Sequence, residues 1–511
     1  MKQQKRTLRT IVLVIAITLL TKVLGVVREA LQARVFGTAL SFDLYTISYN
    51  NSIYIFTTVA YALCVAAVPI ISKKLEHDRE SAFRSAGNLL CVSLVASLVL
   101  TALLTLVVQF APVANFLNVA PAHAGTLRTY LQICVLTLPL IVLIYLLVSV
   151  FQSMEHYTLQ GSLSLPYNIL LIVFLALFAR GDHMLEYILV VCFAWVLQLA
   201  MTFPCWVQEK FRFYPSLRFN DPDVKLFFRT TVVTVFTTSI FLWCYLADSA
   251  TVTRFGDGAV SAVYYADKLF TPVATTLIYS ISVVLFPKYN QEYSRVSERE
   301  YKKYVGGTVE NTLFVILPFS AMFMIFAVPI IHVLFEGGNF NAASTAMTSS
   351  MFAMYSIGMA GFCVLDLINK AYYTMGKTLI PLLINALVLG ANLVLNAIFR
   401  SSESGGTIAM MTAAALTAGG LVALICFFKN ASGTFNAVRA AKDLIAAGVM
   451  SAVLFALTKL LYTGAQSKLI VLLEFLALGV LGIGIYAAVC WALREREALD
   501  LILSKFRKRV N

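Results

Sequence analysis

Residues 86–111 read AGNLLCVSLVASLVLTALLTLVVQFA and contain no charged side chain. As a single helix, a run of this length crosses the hydrocarbon core of a bilayer, which needs about 20 residues. The whole chain has the same character, because 59% of its 511 residues are apolar and only 13% are charged. A soluble domain is about half apolar and about a quarter charged. The composition therefore excludes a soluble fold.

Further apolar runs, separated by short polar or Gly/Pro breaks, predict an all-α polytopic membrane protein with about 14 transmembrane helices. The predicted spans are 8–26, 43–72, 86–111, 129–152, 163–180, 185–207, 230–250, 262–287, 310–335, 345–372, 378–399, 406–428, 442–462 and 468–493. The first run follows a basic stretch but has no small-residue cleavage site, so we expect it to be a retained helix.

The distribution of Lys and Arg predicts the orientation of the chain. With the amino terminus placed inside, 29 of the 39 Lys and Arg residues fall in inside segments and 8 in outside segments. Cytoplasmic loops carry such an excess. We therefore expect cytoplasmic amino and carboxyl termini, and the formal charge of +13 needs no nucleic-acid partner.

Proline landmarks recur between the two halves of the chain and predict an internal repeat. The pairs, offset by 215 to 218 residues, are Pro69 with Pro287, Pro112 with Pro329, and Pro166 with Pro381. We expect two pseudo-symmetric six-helix lobes, at 1–207 and 208–428, followed by two extra C-terminal helices and a basic cytoplasmic tail at 429–511. Secondary transporters with parallel repeats bind substrate at the repeat interface and alternate its access between the two membrane faces. Chance placement of common membrane prolines is the alternative.

The residues that catalysis would require do not cluster in the sequence. The five histidines are isolated, the nine cysteines form no C-x-x-C pair, and no Gly-Lys-Ser/Thr nucleotide loop with its upstream glycine occurs. We therefore predict that the protein is not an enzyme and has no metal site and no resident cofactor.

Charged residues inside spans are the candidates for function, because burying them in a bilayer is costly. Lys22, Arg28 and Lys268 favour a lipid-linked phosphate as ligand, since ammonium and guanidinium groups bind phosphate. The alternatives are cations that reach to the membrane surface and local pairs such as Asp267 with Lys268.

Two other carboxylates are weak candidates for binding a coupling ion, either Na⁺ or H⁺. They are Asp248 and Asp366, and the Asn369 amide lies one turn from Asp366. A simple pair between Asp366 and Lys370, four residues apart on one helix, is the alternative for Asp366.

Four segments in order along the chain resemble the MurJ/MviN lipid II flippases. They are 21–30, TKVLGVVREA, continuing to Phe42-Asp43; 264–269, YYADKL; 334–340, LFEGGNF; and 370–381, KAYYTMGKTLIP. The resemblance implies a fold of the multidrug/oligosaccharidyl-lipid/polysaccharide exporter type, with two lobes around a cavity and two extra helices that guide a polyprenyl tail. It also implies a substrate, lipid II, the undecaprenyl-pyrophosphate-linked peptidoglycan precursor, which crosses from the inner to the outer leaflet of the bacterial cytoplasmic membrane.

The resemblance also implies roles for individual residues. Lys22, Arg28 and Lys268 would bind the pyrophosphate, and Glu29, Asp43 and Asp267 would act in gating, with Glu29 and Asp43 pairing with those cations. Membrane lipids and the cell-wall synthesis machinery would be the other partners.

The sequence departs from the family pattern at several positions. Lysines 22 and 268 stand where the family has arginines, and 55–56 and Ala60 are uncharged where the family has two arginines and a glutamate. The helix-eleven ligands of the family sodium site are not identifiable in the sequence. Two alternatives therefore remain: an exporter of another lipid-linked polysaccharide unit or a drug, and a non-transporting envelope scaffold.

Overall fold

The structure is a computed structural model that describes residues 2–401, 404–429, 431, 433–462 and 467–493. Within these ranges every regular element is a helix, and one isolated bridge pairs Gly337 with Phe340. The predicted all-α polytopic fold is confirmed. The predicted basic tail at 494–511 lies outside the described residues.

The α-helices of the described chain are numbered in order. They are α1 Lys2–Phe36, α2 Leu40–Tyr49, α3 Ile55–Leu75, α4 Arg79–Phe110, α5 Val113–Phe116, α6 Ala124–Val135, α7 Leu138–Ser153, α8 Tyr157–Ser162, α9 Ser164–Leu177, α10 Met184–Ala200, α11 Phe203–Gln208, α12 Pro222–Thr238, α13 Ile240–Val252, α14 Ala259–Tyr293, α15 Glu298–Ile325, α16 Ala327–Leu334, α17 Ala342–Ile357, α18 Met359–Thr374, α19 Leu379–Ile398, α20 Gly405–Phe428, α21 Ala437–Leu461 and α22 Lys468–Ala492.

The described residues contain 10 helices long and apolar enough to cross a membrane, or 12 if two bent pairs each count as one span. The bent pairs are Pro222–Phe236 with Ile240–Val252, and Ala342–Ile357 with Met359–Thr374. The predicted count of 14 is therefore not confirmed. The other two predicted spans, 8–26 and 262–287, fall inside α1 and α14, which do not enter this count.

The chain folds into two compact units. Unit 1 comprises Met1–Ser239, Gly256–Ser261 and Gly337–Phe340, and unit 2 comprises Ile240–Phe255, Ala262–Glu336 and Asn341–Asn511. The lobe boundaries inferred from the proline landmarks stay predictions.

Helix α19 of unit 2 has one buried polar face and one exposed apolar face. Its asparagines, Asn385, Asn392 and Asn396, are at most 2% exposed, whereas Leu383 and Val394 are about 60% exposed. The asparagines follow one another by seven and then four residues, so they share one face of the helix. A bilayer cannot hydrogen-bond to amide groups. The polar face of α19 therefore points into the protein and its leucine face points outward.

Two helices, α4 and α15, each begin at a side-chain cap and each contact a loop through a glycine. Asp78 caps α4 and Ser297 caps α15. Nine residues into α4, a Cβ on Gly87 would overlap the Tyr214 carbonyl. Nine residues into α15, a Cβ on Gly306 would overlap the Thr434 carbonyl. Only glycine allows a loop backbone to approach a helix this closely.

The two C-terminal helices pack on α15 through an apolar cluster that includes Phe314, Met450 and Tyr486. At one end of this contact Glu310 accepts hydrogen bonds from the Asn436 backbone N–H, at 2.7 Å, and from Arg439, at 3.3 Å. This ion pair is about 10% exposed on each side. Helices α21 and α22 are thus held to α15 by both apolar and ionic contacts.

A charged cluster lies in unit 1 just beyond the spans. The Glu209 carboxylate accepts hydrogen bonds from His156 at 2.6 Å and from Arg79 at 2.7 Å. The bond from His156, with a smaller contribution from Arg79, lowers the pKa of Glu209 below its ordinary value, although partial burial opposes this shift. A lowered pKa in the folded state means that the carboxylate stabilises the fold above its unfolded-state pKa. That stability is lost as the pH falls through the folded-state pKa.

We expect Glu209→Gln to lower the free energy of unfolding at neutral pH by about 1 kcal/mol, the upper end of the range of about 0.2–1 kcal/mol for exposed ion pairs, because Glu209 has two partners and is less exposed than Glu80. The difference from wild type should shrink as the pH falls below the ordinary glutamate pKa of about 4.3 and should vanish once the pH has passed through the lowered folded-state pKa of Glu209. Thermal unfolding in detergent at neutral and acidic pH measures both effects. Glu80→Gln, which breaks only an exposed pair with Arg84, is the control. Equal losses in the two variants at neutral pH would contradict the prediction.

Candidate functional site

A buried carboxylate in unit 2, that of Asp248, is surrounded by neutral polar side chains. Asp248 lies on α13 with 0% of its surface exposed. Tyr355 of α17 and Thr412 of α20 donate hydrogen bonds to Oδ2, at 2.8 and 2.5 Å. Asn396 and Asn392 of α19 donate to Oδ1, at 2.7 and 3.2 Å. Four hydrogen bonds offset part of the large cost of burying a charge.

The amide oxygens of this cluster indicate which kind of ion it could bind. Asn392 also donates to Thr412 at 2.6 Å, so the three α19 and α20 side chains form one network with Asp248. The Oδ1 atoms of Asn392 and Asn396 are buried and have no hydrogen-bond partner among the described residues. Buried acceptors are normally satisfied. Carboxylate, amide and hydroxyl oxygens together are the ligand set of a hard cation such as Na⁺.

The sequence singled out Asp248 but missed its four partners. They lie 107 to 164 residues from it in sequence, so no local motif links them. The spacing of the α19 asparagines was the one available signal, because three amides on one face of an otherwise apolar span need buried partners.

The other two coupling-ion candidates have different surroundings. Asp366 accepts a 2.7 Å bond from Lys370, which is the helical pair that the sequence left as the alternative. Asn369 donates to Asn385 at 3.2 Å. Across the described residues no group of three or more His, Cys, Asp and Glu side chains could hold a metal ion.

Asp43 of unit 1 is bonded to the beginning of α14. The carboxylate is 4% exposed and accepts bonds from the backbone N–H groups of Gly258, at 2.6 Å, and Ser261, at 2.7 Å. The Ser261 hydroxyl donates to it as well. The first N–H groups of a helix lack partners within the helix and carry partial positive charge. These donors take the place of the cations with which the resemblance paired Asp43.

A second contact of the same unit closes the end of α1. The Asn339 backbone N–H donates to the Arg34 carbonyl at 2.9 Å, and its side-chain amide donates to the Val35 carbonyl. These carbonyls belong to the last turn of α1, where acceptors have no partner in the helix. The 334–340 segment thus contributes a helix cap in addition to its turn.

The predicted cations lie in both units, and two of them have acidic neighbours. In unit 1, Arg28 pairs with Glu29, and Lys22 is an exposed residue of α1. In unit 2, the Lys268 ammonium lies 3.4 Å from the Asp267 carboxylate and 4.9 Å from the centre of the Tyr264 ring. Asp267 is fully buried and also accepts a 2.6 Å bond from Thr271. The structure contains the local pair of Asp267 with Lys268, which the sequence allowed as the alternative to phosphate binding by Lys268.

Residues 32–480 match the family model described as Lipid II flippase MurJ. The chain belongs to this family. It is similar to the probable lipid II flippase MurJ of Buchnera aphidicola subsp. Acyrthosiphon pisum, with 24% identity over 399 residues, or 76% of this chain and 77% of that protein. The match begins after Lys22, Arg28 and Glu29, so for these residues the MurJ assignment rests on the 21–30 segment.

Two solved structures show the fold. A lipid II flippase MurJ in an inward closed conformation has a TM-score of 0.79 at 18% identity and covers 94% of this chain and 99% of that chain. An inward-facing multidrug resistance MATE family transporter has a TM-score of 0.66 at 12% identity, over 83% of this chain and 98% of that chain. The exporter-type fold that the resemblance implied is confirmed, and the chain is a multi-pass membrane protein of the MurJ family.

We expect Gly258→Ala to destabilise the contact that Asp43 makes with the beginning of α14. Gly258 has φ +88°, and a Cβ there would lie 2.7 Å from the Thr38 carbonyl oxygen, so the loss should be about 1–3 kcal/mol. Gly256→Ala is the matched control, because its φ is +95° and no atom lies within 4 Å of its Cβ position. Thermal unfolding and hydrogen exchange of the 258–261 amides measure the difference. Equal effects of the two substitutions would show that the approach to Thr38 is not a constraint.

Proposed function

We propose that this protein moves lipid II from the inner to the outer leaflet of a bacterial cytoplasmic membrane by alternating access. The observation that carries the proposal is the family match over residues 32–480. The excess of Lys and Arg in the segments assigned to the inside supports cytoplasmic termini. The protein would act as a transporter and not as an enzyme, and its contact with the cell-wall synthesis machinery stays a prediction.

The cations Lys22, Arg28 and Lys268 would bind the pyrophosphate of the substrate. Arg28 and Lys268 already have carboxylate neighbours, Glu29 and Asp267. An incoming pyrophosphate carries more charge than one carboxylate and can replace it as partner. Glu29 and Asp267 would then gate binding, because the pyrophosphate has to displace them from Arg28 and Lys268.

Asp43 would gate one face of unit 1. Its bonds to Gly258 and Ser261 close a contact between α2 and the beginning of α14. Opening this contact exposes a buried carboxylate and two helix-terminal N–H groups to water, so the cost of breaking it is offset by hydration. Such a contact can open and close within a transport cycle.

The cluster around Asp248 would hold the coupling ion. Asp248, Asn392, Asn396, Thr412 and Tyr355 supply one negative charge and several neutral oxygens. This set suits a monovalent cation better than a transition metal, which prefers His or Cys ligands. A bound Na⁺ would supply charge neutralisation for Asp248 and would satisfy the buried amide oxygens of Asn392 and Asn396.

The transport experiment is complementation of a bacterium depleted of its own lipid II flippase, with lipid II exposure at the outer leaflet as the readout. We expect the wild-type chain to rescue growth and exposure, and Lys22→Ala and Lys268→Ala to abolish both, since each loses a charge that binds phosphate. Lys22→Arg and Lys268→Arg, which keep the charge, are the controls. If both alanine variants retain full activity, the cation assignment is wrong. An abundant, inserted wild-type chain that gives no rescue would favour another lipid-linked glycan.

Asp248→Asn tests the coupling ion. The change preserves shape but removes the charge, so we expect sodium stimulation of transport to disappear and the rate to fall at least about tenfold, the effect of about 1.4 kcal/mol. Asp366→Asn is the matched control, because Asp366 is a carboxylate on a span but pairs with Lys370. Lipid II translocation in proteoliposomes with and without a sodium gradient measures both. Loss of sodium stimulation in Asp366→Asn alone would move the site to α18.

A further inference from the structure

One asparagine of unit 1, Asn168, contacts both turns of α1 that carry the predicted cations. Asn168 lies on α9 and is 4% exposed. Its Oδ1 accepts a hydrogen bond from Arg28 Nη1 at 3.0 Å, and its Nδ2 donates to the Thr21 carbonyl, next to Lys22, at 3.3 Å. A single side chain thus links two positions of α1 seven residues apart.

Arg28 is held on other sides as well. Its Nη2 donates to Glu29, and its guanidinium carbon lies 5.2 Å from the centre of the Tyr167 ring, one residue before Asn168. Helix α9 therefore supplies both an aromatic face and an amide oxygen to the same guanidinium. Stacking and a directed hydrogen bond together fix the plane of the guanidinium, which decides whether it can bind a phosphate with two parallel bonds.

Glu29 has its own supports. Gln32 donates to the second Glu29 oxygen at 3.4 Å, and the Tyr187 hydroxyl donates to the Gln32 amide oxygen. Asn168 contacts Arg28, whereas Gln32 contacts Glu29. Helix α9 thus helps to orient the cation, and Gln32 of α1 with Tyr187 of α10 helps to orient its counter-ion.

We infer that Asn168 is a positioning residue for the binding of a pyrophosphate headgroup, acting through Arg28. The inference rests on the proposed function. The amide suits this task because it is neutral and both donates and accepts. It therefore orients Arg28 without competing with the ligand for positive charge. A carboxylate at this position would compete, and an aliphatic side chain would make neither bond.

The chain offers a matched control in Asn88 of α4. Asn88 is also 4% exposed. Its Oδ1 accepts a hydrogen bond from the Arg218 backbone N–H at 2.8 Å, and its Nδ2 donates one to the Arg218 carbonyl at 3.3 Å. It contacts a loop backbone and no predicted cation. Asn88→Leu and Asn168→Leu should therefore cost comparable stability, while only the second should change ligand binding.

The experiment measures the affinity of the purified full-length chain in nanodiscs for undecaprenyl pyrophosphate, with thermal unfolding in parallel. We expect Asn168→Leu to weaken binding about tenfold, the effect of one charge-assisted hydrogen bond, and Asn168→Asp to weaken it further. Asn88→Leu should bind as wild type does. In an Arg28→Lys background, Asn168→Leu should add less than about a twofold loss, because residues that act through one another are not additive.

Three outcomes would overturn the inference alone. The first two are binding by Asn168→Leu equal to that of wild type and a full tenfold further loss in the Arg28→Lys background. An equal loss of affinity in Asn88→Leu would also overturn it, since that result would indicate general destabilisation. Failure of the wild-type chain to bind undecaprenyl pyrophosphate would instead overturn the proposed function.

Discussion

The hydrocarbon core of a bilayer offers no hydrogen-bond partners, and this constraint accounts for most of the structure of this protein. Backbone groups satisfy it by forming helices throughout the described spans. Side chains satisfy it by facing inward in clusters, as the asparagines of α19 do. The cluster around Asp248 is the clearest example of such inward-facing polar groups. Its fully buried carboxylate on α13 accepts hydrogen bonds from side chains of α17, α19 and α20. The need to hydrogen-bond a buried carboxylate therefore accounts for both the packing of these four helices and the proposed ion site.

The sequence predicted what depends on local composition. The lengths of the apolar runs and the breaks between them located the spans. The helices follow the predictions closely at 378–399 and 406–428, whereas α4 begins seven residues before the predicted 86–111. Fold class and family followed from the spans and four short motifs. The two bent pairs were not predicted, since no proline stands at either break. Ser239 and Gly358 stand there instead, and serine and glycine also occur at helix kinks.

The sequence could not predict contacts that cross many residues. Asp43 meets its partners 215 and 218 residues away, and Arg28 meets Asn168 at a separation of 140. Charge alone suggested that acids would pair with bases, and this held for Glu29 and Asp267. For Asp43 the resemblance implied cations, whereas the structure places N–H groups and a hydroxyl beside it. Asp248 was a candidate for an ion, and its amide and hydroxyl partners were not predicted. Neutral donors carry no charge pattern in a sequence, so only the structure identifies them.

The glycine contacts of α4 and α15 bear on how the chain arose. The caps of the two helices, Asp78 and Ser297, are 219 residues apart, and so are Gly87 and Gly306. This spacing is close to that of the proline landmarks. When a gene duplicates, each copy drifts, but a position that admits no side chain cannot drift. If the repeat predicted from the proline landmarks arose by duplication, Gly87 and Gly306 correspond to one ancestral position, because any larger residue would overlap the loop carbonyl at either site.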